Sequence, residues 1–491
     1  CNCKIGGKMY IGIDLGSTNI KAAIYNEKLE LIDRQSKPVH YIHENGFVEF
    51  DVLEYCGVLV SLLKDMIKAN NVKSVKQLAF TGQAESLVVV KKSGQPLMNA
   101  ISWMDERSIE ECDILAKQFS IEECEQVTGQ QAILPTWPAT KILWLKKHKP
   151  DVYNNAGYYL LLKDYVIYWL TGEINADMSI ATFSFFFDIY NKCYWKRMLN
   201  EIGVLESQLP KLVEPCSVVG SFKPEVSDLL GLDGCTKVNV GTLDHFAGMI
   251  GTGNITYGGI TLSTGTVMAM AVMAKEPVPK NSGIAMHYGF VPNTHVMLPV
   301  AESGGVSLEW FRRTCMPNTD FREIDLVLAE RPRNSLLFLP YLVGTNAPEF
   351  DSNATGVFWG LRQEHDAFDM AYAIMEGVAF VLKKNCECIT QKGTPLTAIV
   401  ATGGGAKSDI WCQLQADITG LPILVPNEKE AACLGAAIIA VVADGKFASF
   451  ADAVKYIKIS KRFEPHPDQE LSLKYCKFNV LYEASLSLLT K

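Results

Sequence analysis

A chain of 491 residues exceeds what one hydrophobic core usually organises, so two large domains are expected. Its hydrophobic fraction of 48% excludes a mainly disordered chain, and a net charge of −8, with both signs interspersed, argues against nucleic acid as the main ligand. No apolar run approaches the ~20 residues of a membrane-spanning helix, and the fourteen cysteines lack zinc-site spacing, which together favour reduced thiols and a cytoplasmic location.

The first ordered signal is Met9-Tyr-Ile-Gly-Ile-Asp14, then Leu-Gly16-Ser17-Thr18-Asn, then Ile20-Lys-Ala-Ala-Ile24. It reads as a strand, a tight glycine turn and a second strand, with a third strand around Leu31 and Ile32. Apolar residues at helical spacing (Leu59, Leu62, Leu63, Met66) predict an amphipathic helix over 52–67. Residues 77–81 read as a strand running into the polar cluster Gln83, Glu85 and Ser86. A short strand over 238–240 precedes Gly241-Thr-Leu-Asp244-His245-Phe-Ala247-Gly248, which opens a helix. Near the middle, Ile260-Thr-Leu-Ser263-Thr264-Gly265-Thr266 runs into an apolar segment over 267–273 and echoes the N-terminal hairpin. Ile13 matches Leu262, Gly16 matches Gly265, and Ser17 matches Thr266. Strands over 335–342 and 398–402 each feed a polar or glycine-rich loop and then a helix, over 370–384 and 408–419. That alternation predicts a largely parallel sheet with helices on its faces. The domain boundary falls near Val240, dividing the chain into 8–241 and 242–491.

Two common phosphate motifs fail. A P-loop needs two glycines at fixed spacing before Lys-Ser/Thr; around Gly403-Gly-Gly-Ala-Lys407-Ser408 those places are held by Ala401 and Ala406. The dinucleotide pattern fails because Gly251-Thr-Gly253 has Thr256 where the third glycine belongs. Paired phosphate hairpins remain. A turn glycine removes side-chain bulk so that backbone N–H groups approach phosphate oxygens, and Ser17, Thr18, Thr264 and Thr266 can add hydroxyls. Asp14, at a strand end, reads as a holder of hydrated Mg2+ or as a turn-capping aspartate. Asp244 reads equally as a general base for an attacking substrate hydroxyl or as a helix N-cap. Three glycines at 403–405 let a flat ligand such as adenine lie on bare backbone, and the small-residue run Ala431–Ala437 lets another backbone pack close. Both are also ordinary packing devices.

With hairpin, acid and glycine loop in this order, the sequence resembles the FGGY carbohydrate kinases, which include xylulokinase, gluconokinase and glycerol kinase. The match runs from about Tyr10 to about Ala443. Gly12-Ile-Asp14-Leu-Gly16-Ser17, Trp103-Met-Asp105-Glu-Arg107, Lys141-Ile-Leu-Trp144, Phe338-Leu-Pro-Tyr341 and the two glycine segments carry it. Gly356-Val-Phe-Trp-Gly360-Leu361, with Asp369-Met370 and Ala373-Ile-Met-Glu376, is the most diagnostic stretch, while Thr136 departs from the N-terminal signature. The resemblance implies an actin-like, ribonuclease H-like α/β pair of domains with ATP in an interdomain catalytic cleft. It further implies Mg2+ held by Asp14, and Asp244 as general base. Gly16, Ser17, Thr18, Gly265 and Thr266 would line the phosphates, and Gly404, Gly405 and Ser408 would lie near the adenosine.

Xylulokinases usually carry Gln-Met-His where this chain has Gln83-Ala84-Glu85. Glutamate followed by Ser86 looks more like glycerol-type kinases, whose adjacent arginine is missing here. Glu85 reads as an acceptor for vicinal hydroxyls or as a surface loop residue. Gln83, Trp103 as an apolar wall, Arg107 as a donor or a structural ion pair, and His245 complete the expected pocket, with Trp137 and Asp177 as further candidates. Gly344-Thr345-Asn346 stands where the family more often has Gly-Glu-Arg. The expectation is an ATP-dependent kinase of a small sugar or polyol, a ketopentose such as xylulose ahead of glycerol or erythritol. No nucleic-acid or membrane partner is expected, and the sequence leaves the oligomeric state open, a homodimer among the options. An actin-like ATPase switch is the competing class, and it leaves Glu85 without a role.

Overall fold

In the computed structural model, which describes residues 8–489 apart from 233, 266, 276–282, 302–303 and 429, the N-terminal hairpin sits inside a sheet. Met9–Leu15 pairs antiparallel with Asn19–Asn26 and parallel with Gln77–Gly82. The six-stranded sheet continues outward through Leu31–Pro38 on one side, and through Lys237–Asn239 and Val218–Ser221 on the other. Period-2 alternation then gives the first strand two different faces. Ile11, Ile13 and Leu15 enter a buried cluster with Leu59, Leu62, Leu63 and Met66 of the helix Val52–Ala69. Asp51 caps that helix by accepting from the backbone N–H groups of Leu53 and Glu54.

The other face meets the small-residue helix Ala431–Ala443, and glycine is required there. A Cβ on Gly12 would lie 1.9 Å from the Cys433 carbonyl oxygen. The same helix takes the helix Asp244–Gly251 backbone to backbone: a Cβ on Gly435 would lie 1.8 Å from Ala247 O, and one on Gly251 1.8 Å from Ala431 O. These contacts explain a correction to the domain boundary. The chain forms two units, the first containing everything up to Ile255 together with Met286–His295 and Glu428–Ile457. A cut between 241 and 242 would leave both of these helices in the later half and part Ala431–Ala443 from Gly12, the backbone it packs against.

The second unit contains Thr256–Ala285, Val296–Asn427 and the chain from Lys458 onward. Gly259–Thr264 pairs antiparallel with Met268–Ala274 and parallel with Ala398–Gly403, and Ile423–Pro426 and Ile459–Phe463 extend the sheet. The helices Ala367–Gln391 and Asp409–Thr419 pack in the same unit. The strand expected over 335–342 is corrected to Leu337–Leu339, which pairs antiparallel with Val357–Trp359 in a separate two-stranded ribbon. Pro340 follows at once and has no N–H to extend a ladder. No helix among the described residues is long and apolar enough to cross a membrane.

Candidate active site

Three parallel strands of the first unit deliver their carboxyl ends to one edge, where α/β sheets hold their ligands. Asp14 ends the first strand, opposite Thr81. The Thr81 hydroxyl donates to Thr242 O at 2.9 Å, tying the second strand to the loop that leads from the third. That loop opens into Asp244, the first residue of its helix, while Leu243 holds the cap position. No side chain caps this helix, so the Asp244 carboxylate is not spent on the N-cap role. Its Oδ1 accepts from the His245 backbone N–H at 2.6 Å.

Asp14 and Asp244 feel each other. Burial, and then the charge of Asp244, push the Asp14 carboxyl up to about 7, with Lys21 opposing and Glu430 adding to the rise. Lys21 is itself ion-paired to Glu430 at 2.8 Å. Two carboxylates whose charges act on each other, with the nearby Lys21 already paired to Glu430, form a donor set suited to a hard divalent ion such as Mg2+. In the adjoining turn, a Cβ on Gly16 would lie 2.6 Å from Asn19 O, and Gly16 O accepts from the Tyr55 hydroxyl at 2.9 Å. Ser17 is half-buried and Thr18 exposed.

The corresponding turn in the second unit is open. Among the described residues, nothing lies within 4 Å of a Cβ built on Gly265, whose carbonyl accepts from Gly305 N–H at 2.7 Å. Thr266 lies outside the described residues. Gly404 is exposed, whereas a Cβ on Gly405 would lie 2.8 Å from the Thr264 Cβ. Ser408 caps the helix Asp409–Thr419, accepting from Trp411 N–H at 3.2 Å and donating to Asp325 at 2.7 Å. Gly265 and Gly404 therefore present bare backbone, while Gly405 and Ser408 hold the loop's shape.

The expected sugar-binding residues divide in the same way. Gln83 donates to the Tyr41 hydroxyl at 3.0 Å and accepts from Ser86 Oγ at 2.8 Å. Ser86 Oγ also accepts from the Trp103 backbone N–H at 3.0 Å, which holds an indole left 40% exposed. Arg107 is consumed by structure: it binds Asp105 at 2.7 and 2.8 Å and Glu49 at 2.9 Å, beneath the rings of Phe47 and Trp144. Glu85 has a left-handed backbone, φ 64°, and burial raises its carboxyl against the opposing pull of Lys141 and a hydrogen bond from Thr136. Lys141 donates to Ser102 O at 2.8 Å and to Glu85 O at 3.2 Å, and burial depresses its ammonium to about 8. The Thr136 departure and the Glu85 departure thus meet at one place. Trp137 is buried against Phe185, and Asp177 is fully buried in an ion pair with Lys163. His245 lies beside His287, which burial and the His245 charge push down to about 3. Sequence reading missed Lys163 and named Lys141 only as part of a family motif; each is a lysine inside an apolar run, which is the signal that could have found their roles.

Family models match both halves of the chain: the FGGY family of carbohydrate kinases, N-terminal domain, over residues 9–251, and its C-terminal domain over residues 260–443. The chain belongs to the FGGY carbohydrate kinases. Among curated relatives of this FGGY kinase, the xylulose kinase of Bacillus subtilis is 31% identical over 466 residues, covering 93% of each chain. The gluconokinase of Bacillus licheniformis is 27% identical over 486 residues, covering 96% of this chain and 94% of its own. A ligand-bound xylulose kinase from Lactobacillus acidophilus superposes with a TM-score of 0.91 at 26% identity, covering 99% of each chain. The Plasmodium falciparum glycerol kinase with ADP shares the fold at a TM-score of 0.90 and 21% identity, covering 99% of each chain. The enzyme is therefore an ATP-dependent phosphotransferase acting on a small sugar.

Proposed function

We propose that this kinase phosphorylates a hydroxyl of a ketopentose of the xylulose type, with Asp244 as general base. The observation that carries the base assignment is an Asp244 carboxylate at a strand-to-helix junction, unspent on capping and close enough for its charge to raise the Asp14 carboxyl. Asp244 takes the proton of the acceptor hydroxyl as that oxygen bonds to the γ-phosphorus, while the bond from the γ-phosphorus to the bridging oxygen breaks and ADP leaves. Asp14 would hold Mg2+, which when bound supplies positive charge against the polyphosphate. The open backbone at Gly265 and Gly404 would receive phosphate and adenosine, and Ser17 and Thr18 would add hydroxyls on the first hairpin.

The xylulose preference rests on the 31% identical Bacillus subtilis relative, named as a xylulose kinase. Glu85 favours a second reading, a glycerol- or erythritol-type polyol, because a carboxylate accepts from two vicinal hydroxyls at once. The use of ATP as co-substrate supports a cytoplasmic enzyme. A coupled ADP-release assay across xylulose, ribulose, gluconate, glycerol and erythritol tests the substrate. One compound is expected to stimulate turnover strongly, and Asp244→Asn to lose that stimulation by ~10²–10⁴-fold while still binding nucleotide. Unchanged turnover in Asp244→Asn would remove the base assignment.

A further inference from the structure

The loop that delivers Asp244 is held at every residue. Val240 N–H donates to Ser217 O at 2.9 Å, and Gly241 N–H donates to Asn239 Oδ1 at 2.8 Å. Gly241 has φ 64° and lies so close to its neighbour that a Cβ would sit 1.6 Å from Phe80 O. Behind the loop is a buried ion pair. Lys163, 1% exposed, opens the helix Leu162–Thr171; its ammonium donates to Val240 O at 2.8 Å, reaches Thr242 O at 3.5 Å and pairs with Asp177. The other Asp177 oxygen accepts from the backbone N–H groups of Ser179 and Ile180 at 3.0 and 3.2 Å, and from the Ser179 hydroxyl. Ser179 Oγ in turn lies 2.7 Å from Thr242 Oγ1 and accepts from Leu243 N–H at 3.3 Å.

A buried ion pair is seldom the most stabilising filling for a core, since apolar residues of similar volume often serve as well. What this pair adds is direction: one ammonium and one carboxylate, through Ser179, fix the carbonyls and amides of Val240, Thr242 and Leu243 just before Asp244. We infer that Lys163, acting with Asp177, is a positioning residue that sets the aim of the Asp244 carboxylate at the acceptor hydroxyl. This rests on the reading of Asp244 as base. Displacements of about 1 Å in a reacting group can cost ~10²-fold in rate, so the charged strap sets kcat without touching sugar or nucleotide.

The test is a double-mutant cycle between Lys163→Met and Asp244→Asn, read by steady-state kinetics and ADP binding. Lys163→Met is expected to lower kcat by ~10–100-fold, with the sugar KM and ADP affinity within ~3-fold of the parent. In the Asp244→Asn background it should cause no further loss, because the group it aims is gone. Lys163→Arg, which keeps the donor charge, should recover part of the rate. Where Lys163→Met does not fold, Lys163→Met combined with Asp177→Asn leaves no unmatched charge and completes the same cycle. A further drop in kcat on top of Asp244→Asn, or a loss expressed in KM or ADP binding, would overturn the positioning role and leave the base assignment standing. Full activity in Asp244→Asn alone would overturn the base assignment, and the positioning role with it.

Discussion

The two hairpins are built on one frame and put different chemistry at the same place. In each, a first strand pairs antiparallel with its successor and parallel with a later strand. Asp14 faces Thr81 in the first unit where Ser263 faces Thr402 in the second. The first turn joins Leu15 to Ile20, and the second joins Thr264 to Met268. The first turn is crowded at Gly16 and carries a carboxylate that burial holds near neutrality; the second is bare at Gly265 and carries a hydroxyl. A shared backbone thus offers one hairpin suited to a cation and another suited to an anion. What distinguishes them is a few side chains on a common scaffold.

Exchanging the distinguishing residue is the sharpest way to break this comparison. Asp14→Ser, which gives the first hairpin the residue of the second, is expected to lower kcat/KM by at least ~10²-fold and to raise the Mg2+ needed for half-maximal rate. Ser263→Ala should stay within ~10-fold, and initial rates against Mg2+ decide between them. The same Asp14 change should stabilise the unliganded protein at pH 8. Its folded-state value, about 7, lies above the ordinary 3.8, so its contribution is fully present below pH 3.8 and lost as pH rises through 7. Removing the group at pH 8 is expected to raise Tm by about 2–4 °C for each kcal/mol relieved. Equal kinetic losses at positions 14 and 263 would show that the two hairpins do the same work.

The next test concerns what each strand packs against. By register Gly12 corresponds to Thr261, so the second unit seats a side chain where the first has none. Gly12→Ala places a Cβ 1.9 Å from Cys433 O, inside the backbone of Ala431–Ala443. It is expected to destabilise by at least about 1–3 kcal/mol, read as a lower denaturation midpoint. A wild-type midpoint would mean that the helix can retreat freely.

Much of this pairing was legible in the sequence, because alternation around Gly16 and Gly265 is a local signal. The small-residue run at 431–437 also foretold a close backbone, but not which one: Gly12 and Ala247 lie far earlier in the chain, and small residues advertise proximity without naming a partner. The same limit hid Lys163, whose carbonyl acceptors at 240 and 242 come from a different segment of the chain. Asp244 illustrates the converse. Residue type and position admitted a cap or a base with equal force, and the local geometry, in which Leu243 takes the cap position, removes the cap reading. Arg107 read as a ligand donor or a structural ion pair, because an arginine in a motif shows its charge but not the two carboxylates already bound to it. The expected strand over 335–342 ran past Pro340 because its apolar run continues while its supply of backbone donors does not.

A subtler contrast lies in the turn glycines. Gly265→Ala meets no atom within 4 Å and needs no left-handed backbone, so Tm should hold within about 2 °C. If phosphate oxygens approach that backbone, the ATP KM should still rise about tenfold, the worth of roughly one hydrogen bond. Gly16→Ala, with Asn19 O at 2.6 Å, should lower Tm and raise the ATP KM together. An ATP KM unmoved by Gly265→Ala would take the phosphate role away from the second turn.

The smallest effect compares the buried carboxylates of the two units. Glu376, in the family's C-terminal signature, lies in the helix Ala367–Gln391 and is paired with Lys474 of the helix Gln469–Leu489. Burial pushes it up to about 7, against the pull of Lys474. Because that value is raised from 4.5, its contribution is fully present below pH 4.5 and is lost as pH rises through 7. Glu376→Gln removes the titration, so the decline in denaturation midpoint between pH 5 and pH 6 should flatten by the equivalent of about 1 kcal/mol. Asp14 declines in the same direction over a similar range, but a divalent ion at that site should suppress its part alone. Titrating Mg2+ into denaturation experiments at pH 7 therefore separates the two units: the Asp14 share should vanish with the ion, and the Glu376 share should not. A slope that Mg2+ abolishes entirely would place all of the titration in the first unit and leave Glu376 charged throughout.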